Sequence, residues 1–183
     1  MGSLIQPGQL LVAGTAPGQL NQYYAFSDAN STTVTAASLA NLSSQYTIPA
    51  GEADYSGVAY EMSCGGYGQQ GSTAQTLKIG VVIGSSVGSP AIIPTSALVT
   101  GDVFAWSAKL ELVCSDGASS WWYTCTVCVD SSANTSFSAV GANSSAWSKS
   151  ISSAIPVAIQ AEWGATTGAP TITNARTVWK KVS

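Results

Sequence analysis

DVFAWSAKLELVCSDGASSWWYTCTVCVD, residues 102–130, is the stretch whose reading decides the fold. From Phe104 to Cys114 the even positions are Phe104, Trp106, Ala108, Leu110, Leu112 and Cys114, while Ser107, Lys109 and Glu111 stand between them. That is the period-2 pattern of a strand with one apolar face. Asp116-Gly117 follows, a strong signal for a two-residue type I′ hairpin, whose central positions need positive φ. Such a turn puts Leu112 opposite Trp121, Leu110 opposite Tyr123 and Cys114 opposite Ser119, with Trp106 opposite Val127 and Phe104 opposite Val129. Trp121 then belongs to the core face. Trp122 projects from the other face, beside Glu111. A slip of one residue would mix the two faces, so their identity is strongly specified.

The rest of the chain carries the same texture. Thr32–Thr35 is rich in β-branched residues, and Leu39, Leu42, Tyr46 and Ile48 lead to a turn at Pro49-Ala50-Gly51. Val58–Cys64 alternates and runs into Gly65-Gly66-Tyr67-Gly68, read as a loop. Leu77–Gly84 is a further strand. Ile155, Val157, Ile159, Ala161 and Trp163 form one face of another, and Thr171–Val182 closes the chain. Long connections are expected at 65–75, 85–100 and 131–150. Ala36–Leu42 offers one helical turn at most. Short strands separated by Gly, Pro and Ser turns indicate an all-β protein. The expected fold is an antiparallel β-sandwich of jelly-roll type with about eight strands.

Residues 1–27 read differently. Gln6-Pro7-Gly8-Gln9-Leu10 is echoed by Ala16-Pro17-Gly18-Gln19-Leu20, and Pro-Gly favours turns. The expected division is an N-terminal extended arm, 1–27, and a sandwich domain, 28–183. The arm carries Leu4, Ile5, Leu10, Leu11, Leu20, Tyr23 and Tyr24, the candidate residues for docking on a partner.

Composition narrows the function. Charged residues are 8% of 183, against roughly 25% in ordinary globular chains. Surface polarity must therefore come from Ser, Thr, Asn and Gln, which suits a surface covered by a neighbour. Net charge is −3 with a single arginine, Arg176, so no basic patch is available for nucleic acid. No apolar run approaches the roughly 20 residues of a membrane span. Met1-Gly2-Ser3 carries no basic n-region, which gives the expectation of a chain kept in the cytosol until assembly.

Histidine is absent, which removes the commonest general base and metal ligand together. Cys125 and Cys128 have the spacing of half a zinc site, but residues three apart on a strand point to opposite faces. No metal, cofactor or catalytic residue is expected. Buried free thiols are the default for the four cysteines, and a bridge from Cys114 to Cys64 remains open. Glu52, Glu61, Glu111 and Glu162 with five aspartates are the acid/base candidates, and their spacing demonstrates no glycosidase pair. Trp106, Trp121 and Trp163 belong to the core. Trp122, Trp147 and Tyr67 are the candidate glycan-stacking or interface aromatics.

Thr33-Val34-Thr35, Leu39-Ala40-Asn41-Leu42, Tyr46-Thr47-Ile48-Pro49-Ala50, Tyr60, Gly65-Gly66, Leu77-Lys78, Thr100–Phe104 and Ala161-Glu162-Trp163-Gly164 follow one another in an order that resembles small virion structural proteins of tailed bacteriophages, those of actinobacterial hosts above all. The resemblance covers residues 30–183. It implies jelly-roll domains, often homotrimeric, found in head-decoration, head-fibre and tail-tip proteins, with no catalytic residues to carry over. The expected role is a capsid decoration (cement) protein bound to the major capsid protein on the virion surface. The alternatives are a tail-tip or head-fibre module that binds a host glycan, and a carbohydrate-active enzyme.

Overall fold

The computed structural model describes residues 9–10, 24–43, 45–133 and 136–182, with side chains from residue 32 onward. Fourteen strands and no helix occur among the described residues. They are β1 (Gln9–Leu10), β2 (Tyr24–Val34), β3 (Ala40–Asn41), β4 (Tyr46–Ile48), β5 (Val58–Gln69), β6 (Leu77–Ile83) and β7 (Ser86–Val87). After these come β8 (Ala91–Ile93), β9 (Val103–Cys114), β10 (Ser120–Ser131), β11 (Phe137–Ala142), β12 (Trp147–Ser148), β13 (Ile155–Trp163) and β14 (Thr171–Lys181).

All pairings are antiparallel. The larger sheet runs β1-β2-β14-β5-β9-β10-β11, with β12 also on β10. The smaller runs β3-β13-β6-β7, with β4 on β13 and β8 on β6. Within them, β2-β14-β5-β9 faces β4-β13-β6-β8, and the chain crosses between sheets at every step except β6 to β8. That is the jelly-roll path of two four-stranded sheets. The expected framework of about eight strands is present, and six short or added strands extend it. Chief among these are β10 and β11, which widen the larger sheet beyond β9.

Alternation fixes which face is inside. The even residues of β9 from Phe104 to Cys114 and the odd residues of β10 from Trp121 to Val129 are buried. Across the core they meet Ile79, Val81, Val157, Ile159 and Trp163 from the smaller sheet, all fully buried. A central row of rings runs Tyr46, Trp179, Tyr60, Trp121, with successive centroids 4.2, 5.6 and 6.3 Å apart.

The hairpin register differs from the expected one by two residues. Leu112 pairs with Tyr123, and Cys114 pairs with Trp121 rather than Ser119. A shift of two preserves parity, so the assignment of Trp121 inside and Trp122 outside stands. The loop is the cause. Gly117 has φ of 66°, but Asp116 is not at positive φ, so the turn is not type I′. Instead Ser115 N–H donates to Ser120 O at 2.8 Å, closing a longer loop. Asp116 Oδ1 fills it by accepting from the N–H groups of Ala118, Ser119 and Ser120 at 2.9, 2.8 and 2.8 Å.

Those three donors hold the Asp116 carboxyl well below the usual carboxylate range. A lowered folded pKa contributes stability above the unfolded value, about 3.9, and loses it as pH falls through the folded value. Asp116→Ala is therefore expected to lower the melting temperature at pH 7. Thermal unfolding should show that gap narrowing only at pH below the normal aspartate range.

Several stretches read as loops are strands. Gly65–Gly68 lies inside β5, and the span 131–150 contains β11 and β12. Residues 85–100 hold β7 and β8, and Ala36–Leu42 contains β3 and no helical turn. Gly66 sits where β14 bulges: Asn174 pairs with Gly66 and Arg176 with Gly65, leaving Ala175 extra. The Asn174 amide is oriented so that its nitrogen donates to Arg176 O (2.9 Å) and Gly65 O (3.2 Å), while its oxygen accepts from Thr177 Oγ1 (2.9 Å). At the other boundary, β2 begins at Tyr24, so residues 24–27, assigned to the arm, are paired with β14 from Thr177 to Lys180.

Candidate functional site: the outer face of the larger sheet

The residues of β9 and β10 that point away from the core form transverse rows with their neighbours on β5, β14 and β11. At one end Trp122 lies opposite Val113, which lies opposite Ala59, and Val182 N–H donates to Ala59 O at 2.8 Å. The next row runs Ala142, Thr124, Glu111, Glu61, Lys180. Behind it stand Val140, Thr126, Lys109, Ser63, Val178, and then Ser138, Cys128, Ser107, Gly65, Arg176. Asp130, Ala105 and Tyr67 follow, with Val103 opposite Gln69 at the far end.

This face is almost free of chemistry. Its one directly opposed carboxylate pair, Glu61 and Glu111, is bridged by Lys109 Nζ at 3.6 and 2.8 Å. Exposed pairs of this kind add little stability. The two carboxylates flank a cation on an open sheet, not a substrate cleft. Among the described residues no cluster of three or more His, Cys, Asp or Glu side chains could hold a metal. No described helix is long and apolar enough to cross a membrane.

The candidate aromatics are scattered. Trp122 is 41% and Tyr67 57% exposed, but their rows meet β9 at Val113 and Ala105, roughly 26 Å apart along the strand. Trp147 is not in an open loop. It lies in β12 opposite Trp121, half-buried, with its ring centroid 4.8 Å from that of Tyr123. The three therefore form no common stacking platform. Of the arm residues, Leu10 in β1 and Tyr24 in β2 are main-chain partners, with β1 at the flank of the larger sheet. Leu4, Ile5, Leu11, Leu20 and Tyr23 lie outside the described residues.

An open groove of about 440 Å3 beside the bulge is lined by Ser63, Cys64, Gly65, Arg176 and Val178. Gly65 supplies its bare floor: a Cβ there would come 2.8 Å from Trp106 O. Arg176 stands at register with Asp28 on β2.

Two polar clusters escaped the sequence reading. Asp102, 4% exposed, accepts from Val99 N–H at 3.1 Å and from the Ser131 hydroxyl, tying the start of β9 to the end of β10. Near the C-terminal end of β14, Lys181 Nζ lies 3.8 Å from Glu52 Oε1 and donates to Glu52 O at 3.0 Å, and Tyr60 Oη donates to Glu52 Oε1 at 3.3 Å. Burial, with the nearby Glu52 charge second, pushes the Tyr46 phenol up to about 12. Both clusters clamp loops to strands. Neither leaves a spare group aimed at an open cavity.

All four cysteines are free. Cys64, Cys114 and Cys125 are buried as expected, but Cys128 is exposed, because it stands on the opposite face of β10 from Cys125; the expectation of a buried thiol fails there. Burial, and secondarily the Cys125 sulfur, raises the Cys64 thiol, and burial pushes Cys125 up to about 12. In dilute native protein under non-reducing conditions, a maleimide is expected to modify one thiol quickly. Denaturant should expose the other three. A second fast thiol in the native protein would contradict this packing.

No protein-family model matches the chain, and no curated protein matches it. The crystal structure of a protein of unknown function, SO2946 from Shewanella oneidensis MR-1, is similar to it at 13% sequence identity and a TM-score of 0.33. That match spans 97% of this chain and 77% of the other.

Proposed function

We propose that the chain is a bacteriophage virion structural protein, a capsid decoration (cement) protein that binds the head surface and stabilises it. The observation that supports this reading best is the separation between aromatic and arm. Exposed aromatics are dispersed over the outer face of the larger sheet, as suits broad contact with protein rather than stacking on one glycan. All of the arm's candidate docking residues but Tyr24 precede β2, and β1, within the arm, lies at the flank of the larger sheet, where an extended segment can add main-chain hydrogen bonds to a partner. The reading carries a homo-oligomer, a trimer by resemblance, with the major capsid protein as partner and the assembled particle as location. It calls for no cofactor, nucleic acid, membrane or catalytic step.

The test is deletion of residues 2–23, which leaves β2 whole. The truncated protein is expected to keep its β-sheet circular dichroism and cooperative melt, and to lose attachment to particles stripped of the native protein. Normal occupancy by the truncated chain would remove the arm as anchor. The groove beside Arg176 favours a second reading, a tail-tip or head-fibre module holding a cell-surface glycan. Binding to host cell-wall fragments that disappears in Arg176→Ala would put that reading first.

A further inference from the structure

We propose that Asp116-Gly117 is a covalent modification site, where the main chain isomerises through a succinimide once the loop at 49–57 lifts off it. The pair is chemically primed. Glycine has no side chain to impede its amide nitrogen, and the aspartate carboxyl carbon just before it can close a five-membered ring on that nitrogen. In that step Gly117 N attacks Asp116 Cγ, and the new C–N bond replaces a Cγ–O bond. The departing hydroxyl takes the Gly117 amide proton and leaves as water. Water then adds back to the ring. Opening at the main-chain carbonyl carbon gives isoaspartate, in which the chain runs through Cβ and Cγ, at unchanged mass.

The fold restrains both reacting groups. Asp116 Oδ1 is tied to the N–H groups of Ala118, Ser119 and Ser120, which turns the carboxyl towards residues beyond Gly117 and keeps it ionised, with no hydroxyl to lose. Gly117 lies against the main chain of the 49–57 loop: a Cβ built on it would stand 2.6 Å from Tyr55 C and 2.8 Å from Ser56 N. The peptide plane between Asp116 and Gly117 therefore has no room to swing its nitrogen towards Cγ. That loop is itself fastened. Gly57 N–H donates to Cys114 O at 2.8 Å, and the Ser56 hydroxyl donates to Ser115 O. Gly51 N–H donates to Ile151 O at 2.7 Å, and Lys181 Nζ donates to Glu52 O at 3.0 Å and stands 5.7 Å from the Tyr55 ring centre. Asp116, Tyr55 and Ser56 are exposed, so the contact can open locally without unfolding the core. Isoaspartate adds one atom to the main chain of the turn, and the loop cannot reseat over it. The modified residue is thus a permanent mark on copies that have opened.

The test follows isoaspartate at residue 116 in the full chain, folded and in urea, at neutral pH. A protein-isoaspartate methyltransferase with labelled S-adenosylmethionine measures the amount, and peptide fragmentation places it. The unfolded chain should accumulate it at least about tenfold faster than the folded one, because the folded reaction waits on local opening. Lys181→Ala releases Glu52 and should raise the folded rate several-fold, with the unfolded rate unchanged and the melting midpoint still well above the incubation temperature. If Lys181→Ala does not fold, Ser56→Ala takes its place, since it removes only the hydroxyl bonded to Ser115 O. Lys78→Ala, which breaks an ion pair on the smaller sheet, should change neither rate. Equal rates in folded and unfolded protein would overturn the proposal, and so would an unfolded chain that forms no isoaspartate at residue 116. A loop variant that reacts no faster than the parent when folded would also overturn it, because the 49–57 loop would then not be the gate.

Discussion

Gly66→Ala is expected to destabilise the protein by about 3–5 kcal/mol, among the largest effects of any single substitution here. A Cβ at Gly66 would stand 2.1 Å from Thr173 O and 2.8 Å from Ala175 N. Both are backbone atoms inside the bulge, and the Asn174 amide pins that bulge to Gly65 O and Arg176 O. The strand cannot swing aside without breaking the ladder to β14. Gly164→Ala is the control. Its Cβ would find nothing closer than 3.5 Å, and its cost should stay within about 0.5 kcal/mol. Urea midpoints measure both, and equal midpoints for the two variants would show that the close approach at Gly66 is not the constraint.

The second large effect separates neighbours in sequence. Trp121 is fully buried, lies 6.3 Å from the ring of Tyr60 and donates its Nε1–H to Lys149 O at 2.9 Å. Trp121→Ala removes that packing, opens a cavity and leaves the carbonyl unpaired, at a cost of about 3–5 kcal/mol. Trp122→Ala, one residue on, removes a side chain that is 41% exposed and should cost no more than about 1 kcal/mol. A similar loss at both positions in chemical denaturation would mean that the inward and outward faces of β10 had been misassigned.

Local pattern carried some of this fold and missed other parts for identifiable reasons. Period-2 alternation is a property of each strand alone, so the faces of β9, β10 and β13 were legible. Register depends on the loop between strands. There the Asp116 carboxylate satisfies three N–H groups and stabilises a longer turn than Asp-Gly implies. Gly65–Gly68 looked like a loop because glycine disfavours strands. In the fold those glycines are the price of a close approach: Cβ atoms at Gly66 and Gly68 would strike Thr173 O and the Phe104 ring. That information resides in β9 and β14, more than thirty residues away. β11 was hidden for the same kind of reason. Phe137–Ala142 has few large apolar groups because its Gly141 packs against the backbone of Ser89–Ala91. At the candidate site, alternation identified Trp122 as outward. The partners of Trp147 are Trp121 and Tyr123, residues of a strand more than twenty positions away, and no local pattern could name them. The Glu52–Lys181 clamp likewise joins residues 129 apart.

The jelly-roll path also dictates an order of events during synthesis. β14 lies between β2 and β5, and β13 lies between β4 and β6, so each sheet has an interior strand that is made only after the strands on both sides of it. Until then β5, β9, β10 and β11 can pair among themselves, while β2 has no β14 to join and β6 lacks β13. The nascent chain therefore exposes the edge of β5 that awaits β14 while the residues between Gln69 and Thr171 are made, an interval in which another chain's strand can add to it. Pairing between such distant segments is slow. The yield of folded protein should thus be limited less by the stability of the finished sandwich than by how soon β13 and β14 follow the strands that wait for them.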